Sequence, residues 1–205
     1  MKPPLTMVSV RRLVAPAVIA CCAAGAQAAT VWDEAVNGDL SGDGSVPTRL
    51  ATAIGSNVVF GITGGPDYDI FSIDVPLGAV LSGVVLQPGS TVAGGVSFIA
   101  LEAGGQFTLP LPLSAAAGLL GWTHYDQGLI GVNLLPSFGV PRAGSSGFSG
   151  PLPSGSYTFL VQDTSGAPNY GFDLQISAVP EPGAMSTGLL ALGMAFGAAR
   201  TRRRK

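Results

Sequence analysis

Four aspartates are the residues best suited to chemistry in this chain: Asp39, Asp43, Asp67 and Asp69. The run Asp39-Leu40-Ser41-Gly42-Asp43-Gly44 places oxygen-bearing side chains at loop positions 1, 3 and 5 and glycine at 6, as a calcium-binding EF-hand loop begins. Position 12 falls on Leu50, where that site needs a bidentate glutamate, so the loop is not an EF-hand. Asp67 and Asp69 flank Tyr68 in a turn and offer a separate oxygen site. Calcium is the one cofactor these residues suggest. Solvated acidic turns holding no metal are the plainer reading of the same residues.

Evidence for catalysis is thinner. The single histidine, His124, has Asp126 two residues on, but no serine lies in a G-x-S-x-G elbow. Ser145-Ser146-Gly147 reads as loop. With one histidine, no metal site built on several is possible, and the scattered carboxylates do not read as an acid/base pair. No catalytic residue is assigned, and an enzyme is not expected. Trp32, Trp122 and Tyr125 could stack on sugars or lie buried in the core.

These residues belong to a segment, 29–180, whose charge differs sharply from that of the ends. It holds 11 acidic residues and two basic ones, Arg49 and Arg142, a net charge of 2 − 11 = −9, while eight of the ten basic residues of the chain lie outside it. A body with no lysine and no basic stripe cannot neutralise phosphates, so nucleic acid is excluded as a partner. Both cysteines, Cys21 and Cys22, precede it.

The elements that must position the aspartates read as strands. Alternation or continuous apolar runs predict strands over 57–63, 68–75, 80–86, 96–102 and 106–109. In 68–75, Phe71, Ile73 and Val75 share one face, and Ser72 and Asp74 the other. The clearest hairpin is expected at the end, with strands 157–162 and 170–177 joined by the loop 164–169. Residues 31–50 should wrap an edge, and 114–120 could form a short helix capped by Ser114. The stretch 110–153 is hard to read and long enough to hide a strand or two. Strands joined by turns, with no long helix between them, predict an all-β fold, an antiparallel β-sandwich or jelly roll.

Both ends carry address signals. Lys2, Arg11 and Arg12 precede an apolar run, Leu13 to Ala24, and Ala26-Gln27-Ala28 forms an A-x-A cleavage site, so 1–28 reads as a signal peptide recognised by the export machinery. Val18-Ile19-Ala20-Cys21 offers a lipobox as the second reading, and either one exports the protein. At the other end, Val179-Pro180-Glu181-Pro182 leads into 17 uncharged residues, 183–199, and then Arg200, Arg202, Arg203, Arg204 and Lys205. As a helix that run spans about 26 Å, a little short of a hydrocarbon core of about 30 Å. The basic end resists translocation and should stay cytoplasmic. The body between the two ends would then lie outside the cytoplasm.

A Pro-Glu-Pro box, a short Gly/Ala/Leu helix and a terminal arginine cluster together resemble the PEP-CTERM sorting signal of Gram-negative bacteria. That resemblance implies recognition by exosortase, a membrane-embedded cysteine protease or transpeptidase. The enzyme cuts near the box and sends the body to the cell surface or extracellular matrix. Within the body, Asp67 to Val75 followed by Leu77-Gly78, together with Pro153-Ser154-Gly155-Ser156-Tyr157-Thr158-Phe159, is similar to bacterial pre-peptidase C-terminal domains. Those are compact β-sandwiches accessory to secreted enzymes.

The expected organisation is a signal peptide (1–28), a β-sandwich domain (29–178) and a sorting signal (179–205). The sorting signal divides into the box (179–182), a transmembrane helix (183–199) and a basic end (200–205). The expected function is that of an exosortase-sorted surface or matrix protein with a structural or adhesive body. A calcium- or polysaccharide-binding module, with exopolysaccharide as its partner, is the alternative, and a secreted hydrolase comes behind both.

Overall fold

The computed structural model describes residues 28–92, 95–163 and 166–180. Cleavage residue Ala26, the apolar run 13–24, Glu181, Pro182, the apolar run 183–199 and the basic end 200–205 lie outside them. Among the described residues no helix is long and apolar enough to cross a membrane.

Among the described residues nine strands form two sheets. Their ranges are β1 (Ala29–Asp33), β2 (Thr48–Arg49), β3 (Gly55–Ile62), β4 (Tyr68–Val75), β5 (Ala79–Leu86), β6 (Ser97–Ala103), β7 (Gly121–Tyr125), β8 (Gly155–Gln162) and β9 (Asn169–Ala178). One sheet has the order β1-β3-β9-β5 and the other β2-β4-β8-β6-β7. The chain changes sheet after each of its first five strands and again between β8 and β9. Only β6 and β7 are consecutive strands paired with each other. Two one-turn helices, α1 (Glu34–Asn37) and α2 (Leu135–Gly139), interrupt the connections.

The core lies between the sheets. On β4 the residues Phe71, Ile73 and Val75 face inward, as alternation predicts, and on β9 Tyr170, Phe172, Leu174 and Ile176 do the same. Phe71 pairs with Phe159 of β8 across the ladder, and their rings stack 5.2 Å apart. Ile70, Ala100 and Leu160 point out of the other face yet are fully buried, because the segment around Phe107, Ala116 and Leu119 folds over them as a second apolar layer.

The structure corrects several sequence expectations. Strands 157–162 and 170–177 are not a hairpin: β8 and β9 lie in opposite sheets. Two strands facing each other across a core carry the same inward alternation as two strands side by side, and a connection of this length spans the ~10 Å between sheets easily. Residues 106–109 form no strand. Phe107 instead plugs the outer layer, with its N–H on the Gly44 carbonyl at 2.9 Å. Residues 114–120 form no helix. Gly118 takes a φ of 109°, outside the helical region, and only a turn closes there, Leu119 N–H to Ala116 O at 3.1 Å. The unread stretch 110–153 supplies β7 and α2. The sheets are also not purely antiparallel, since β1 pairs parallel with β3 and β2 parallel with β4. Both parallel pairs involve the N-terminal segment, which wraps the open edges and shields them.

Candidate cation site at one end of the sandwich

Asp69 lies on β4 at the register position before Phe71, on the inward side of the sheet. Alternation therefore puts its carboxylate where the strand would otherwise bury an apolar group. Its exposure is 0 %, and neither carboxylate oxygen has a hydrogen-bond partner. Across the sandwich, β9 contributes Tyr170, which is fully buried as well. The Tyr170 hydroxyl sits beside the Asp69 carboxylate without closing a well-formed hydrogen bond. Its ring fits because the paired residue on β3 is Gly61, where a Cβ would stand 2.4 Å from the hydroxyl oxygen.

The N-terminal wrap brings two more carboxylates to this end. Asp33 caps α1 by accepting the Ala35 N–H at 3.0 Å, and the helix ends at Gly38, whose φ of 90° turns the chain back. Glu34 then reaches over the loop. Its Oε1 accepts the Leu40 N–H at 3.0 Å and its Oε2 the Ile62 N–H at 2.7 Å, so one side chain ties the loop to the end of β3. Leu40 anchors in the core, and Ile70 N–H donates to Ser41 O at 2.8 Å, which clamps the chain after Asp39 against β4. The result is that Glu34, Asp39 and Asp69 each place an oxygen within 4.8 Å of the other two. Asp67, in the turn before β4, is close enough to add its charge to Glu34 and Asp69.

Burial and like charges raise the proton affinity of Glu34, Asp67 and Asp69. Burial, with the charges of Glu34 and Asp67 next, pushes Asp69 up to about 8. Burial also raises Glu34, against the two N–H bonds that lower it, and raises Asp67, with Asp39 adding to the effect. The Tyr170 hydroxyl is pushed far up by burial and by Asp69. Among the described residues no cation offsets the cluster. Arg49 pairs with Asp74 on the solvent side, and the Arg142 guanidinium lies 5.8 Å over the Trp122 ring. A cleft of about 350 Å³, lined by Glu34, Phe60, Gly61, Ile62 and Tyr170, opens beside the site.

Of the four aspartates singled out from sequence, the structure gathers Asp39, Asp67 and Asp69 at one end. Asp43 is not in the group. Its Oδ1 accepts from the Ser45 N–H at 2.8 Å and the Ser45 hydroxyl at 2.7 Å, and those bonds lower its proton affinity. The Asp39–Gly44 run is thus a turn whose two carboxylates part company. Glu34 is the ligand candidate that sequence reasoning missed, since it stands outside any recognisable loop motif.

The residues considered for hydrolysis are engaged elsewhere. His124 is exposed on the outer face of β7, its ring against Phe98 and Trp122, with Nδ1 3.3 Å from the Ser97 carbonyl oxygen. Asp126 accepts the Gly128 N–H at 2.7 Å. Ser145 donates to Arg142 O at 2.9 Å and Ser146 to Leu119 O at 3.3 Å, both within loops. Of the aromatics considered for stacking, Tyr125 is buried against Phe172, while Trp32 and Trp122 are half-buried. Compared with known proteins, the chain matches no family model, no curated protein and no solved structure.

Proposed function

We propose that this chain is an exported protein of the Gram-negative cell surface or extracellular matrix, sorted by an exosortase-type membrane protease, with a structural or adhesive body and no catalytic role. The observation that carries this reading is the order of three features at the C-terminus: the box Pro180-Glu181-Pro182, an uncharged apolar run and the cluster Arg200 to Lys205. The limits of the folded body are compatible with removal of both ends. Ala28 is exposed directly before β1, so a cut after it leaves every strand whole. At the other end β9 stops at Ala178, and the last tie to the sandwich is Val179 N–H to Gly78 O at 2.7 Å. Val179 and Pro180 are exposed, so a protease reaches the box without opening a sheet.

Intact mass of the protein from envelope and medium of its native host tests this. A species running from Ala29 to within 179–182 is the expected result. If every species retains Arg200 to Lys205, the chain is a membrane-anchored protein and the sorting reading fails.

A polysaccharide-binding body is the second reading. It is favoured by Phe98, Trp122 and His124, whose rings form one group on the outer face of β6 and β7 with centroids 5.6 to 5.7 Å apart. Stacking on sugar rings needs such a partly exposed aromatic group. Retention on host exopolysaccharide that Trp122→Ala abolishes would support it, and equal retention of both proteins would remove it.

A further inference from the structure

We propose that Glu34, Asp39 and Asp69 together bind one hard divalent cation, calcium by preference, which fastens the N-terminal wrap to β4. Two observations carry this independently. The first is geometric: three carboxylates from separate parts of the chain converge until their oxygens lie within 4.8 Å of one another. The second is the state of the polar atoms at that point. Both oxygens of Asp69 and the hydroxyl of Tyr170 are buried and unpartnered, and among the described residues only the Tyr125 hydroxyl and Gln162 Oε1 share that state, while other buried polar side chains are paired. Asn57, for example, bonds Ala53, Gly55 and Leu174. A buried carboxylate facing two others is strongly unfavourable unless a countercharge joins it. Among the described residues none is supplied: the two arginines there, Arg49 and Arg142, are engaged at Asp74 and Trp122.

The donor set selects the class of ion. Every donor is a carboxylate oxygen, which suits calcium, magnesium or manganese and excludes a thiolate- or imidazole-built zinc site. Calcium–oxygen bonds of about 2.3–2.6 Å let one ion bridge oxygens up to about 5 Å apart, whereas magnesium bonds of about 2.0–2.1 Å reach about 4.2 Å. Oxygens that lie within 4.8 Å of one another fall inside calcium's reach, and calcium's flexible coordination suits carboxylates whose positions the fold sets. Asp67 and the exposed side of Asp39 leave room for a fourth carboxylate and water, as a coordination number of six to eight requires. Glu34 is already oriented by the Leu40 and Ile62 N–H groups, so binding orders little that is not ordered before.

The test uses the purified full-length chain, stripped with EDTA and then titrated with calcium chloride or magnesium chloride. Calcium at 100 times its Kd should raise Tm by about 5–10 °C, and magnesium should do less. Terbium, which takes calcium's oxygen sites, should show emission sensitised by Tyr170 and by Trp32, whose Nε1–H is tied to Gly38 O at 3.1 Å beside Asp39, and calcium should quench it. Asp39→Asn keeps an exposed polar side chain, so it should fold normally and lose at least tenfold in calcium affinity, while Asp69→Asn should lose the terbium signal. Asp43→Asn is the control and should bind as the parent does. An unchanged Tm with millimolar calcium and no sensitised terbium emission would overturn the proposal. So would undiminished affinity in Asp39→Asn.

Discussion

Asp69 and Tyr170 meet across the sandwich from opposite sheets, each fully buried and neither closing a hydrogen bond. Alternation places both on the inward faces of their strands, so the end of the core is polar by construction rather than by a local bulge. This pair makes stability depend on what satisfies the carboxylate.

In EDTA, stability should fall as pH rises from about 4 to about 9. The folded-state value of Asp69, about 8, lies above its ordinary 3.8, so the folded chain holds a proton that the unfolded chain has lost. That contribution is full below the unfolded value and is gone once pH passes the folded one. Glu34 and Asp67 are raised too and act in the same direction. Urea melts at pH 5, 7 and 9 measure it. Asp69→Asn should flatten the slope. A parent protein as stable at pH 9 as at pH 5 would count against a buried, unpartnered Asp69.

Gly61→Ala should destabilise the protein by about 1–3 kcal/mol, as overpacking does. The added methyl would stand 2.4 Å from the Tyr170 hydroxyl oxygen and 2.5 Å from the ring carbon that bears it, so the buried ring must shift. Denaturant unfolding would show the loss. The companion Gly61→Ala, Tyr170→Phe double variant should recover part of it.

Phe159→Ala should cost about 3–5 kcal/mol. Phe159 is fully buried, stacks on Phe71 at 5.2 Å and meets Phe138 edge-on at 6.4 Å, so truncation leaves a cavity walled by two sheets and α2. A loss below 1 kcal/mol in equilibrium unfolding would mean that the core collapses around the gap.

Asn57→Ala should cost about 1–3 kcal/mol, the range for stranding buried polar partners. Its side chain, 2 % exposed, accepts the Ala53 N–H at 2.8 Å and donates to the carbonyls of Ala53 and Leu174, which ties the entry to β3 onto β9. Hydrogen exchange at Ala53 should speed up while the β4–β8 ladder stays protected.

Much of the strand pattern was legible because alternation is a local property. Strand β4 was read with the bounds it has and with Phe71, Ile73 and Val75 on one face, which is the inward one. β7 escaped because it is only five residues long, Gly121 to Tyr125, in a stretch dense with proline and glycine. The outer layer over Ile70 and Leu160 escaped because a buried outer face looks in sequence like any doubly apolar strand.

For the acidic end, residue types alone narrowed any ion to a hard one, since the body holds no cysteine and one histidine. They also showed that countercharge within the body is scarce. They did not show which carboxylates meet. Glu34 and Asp69 are 69 − 34 = 35 residues apart and lie in no shared motif. Their approach depends on Leu40 entering the core and on the Ser41–Ile70 pairing that holds the wrap against β4. Which sheet a strand joins is likewise absent from its pattern, as β8 and β9 demonstrate. A strand's period encodes which face turns inward, and that follows from its own backbone. Its neighbours are chosen by long-range packing, where many pairings bury the same faces and only the closed sandwich distinguishes them.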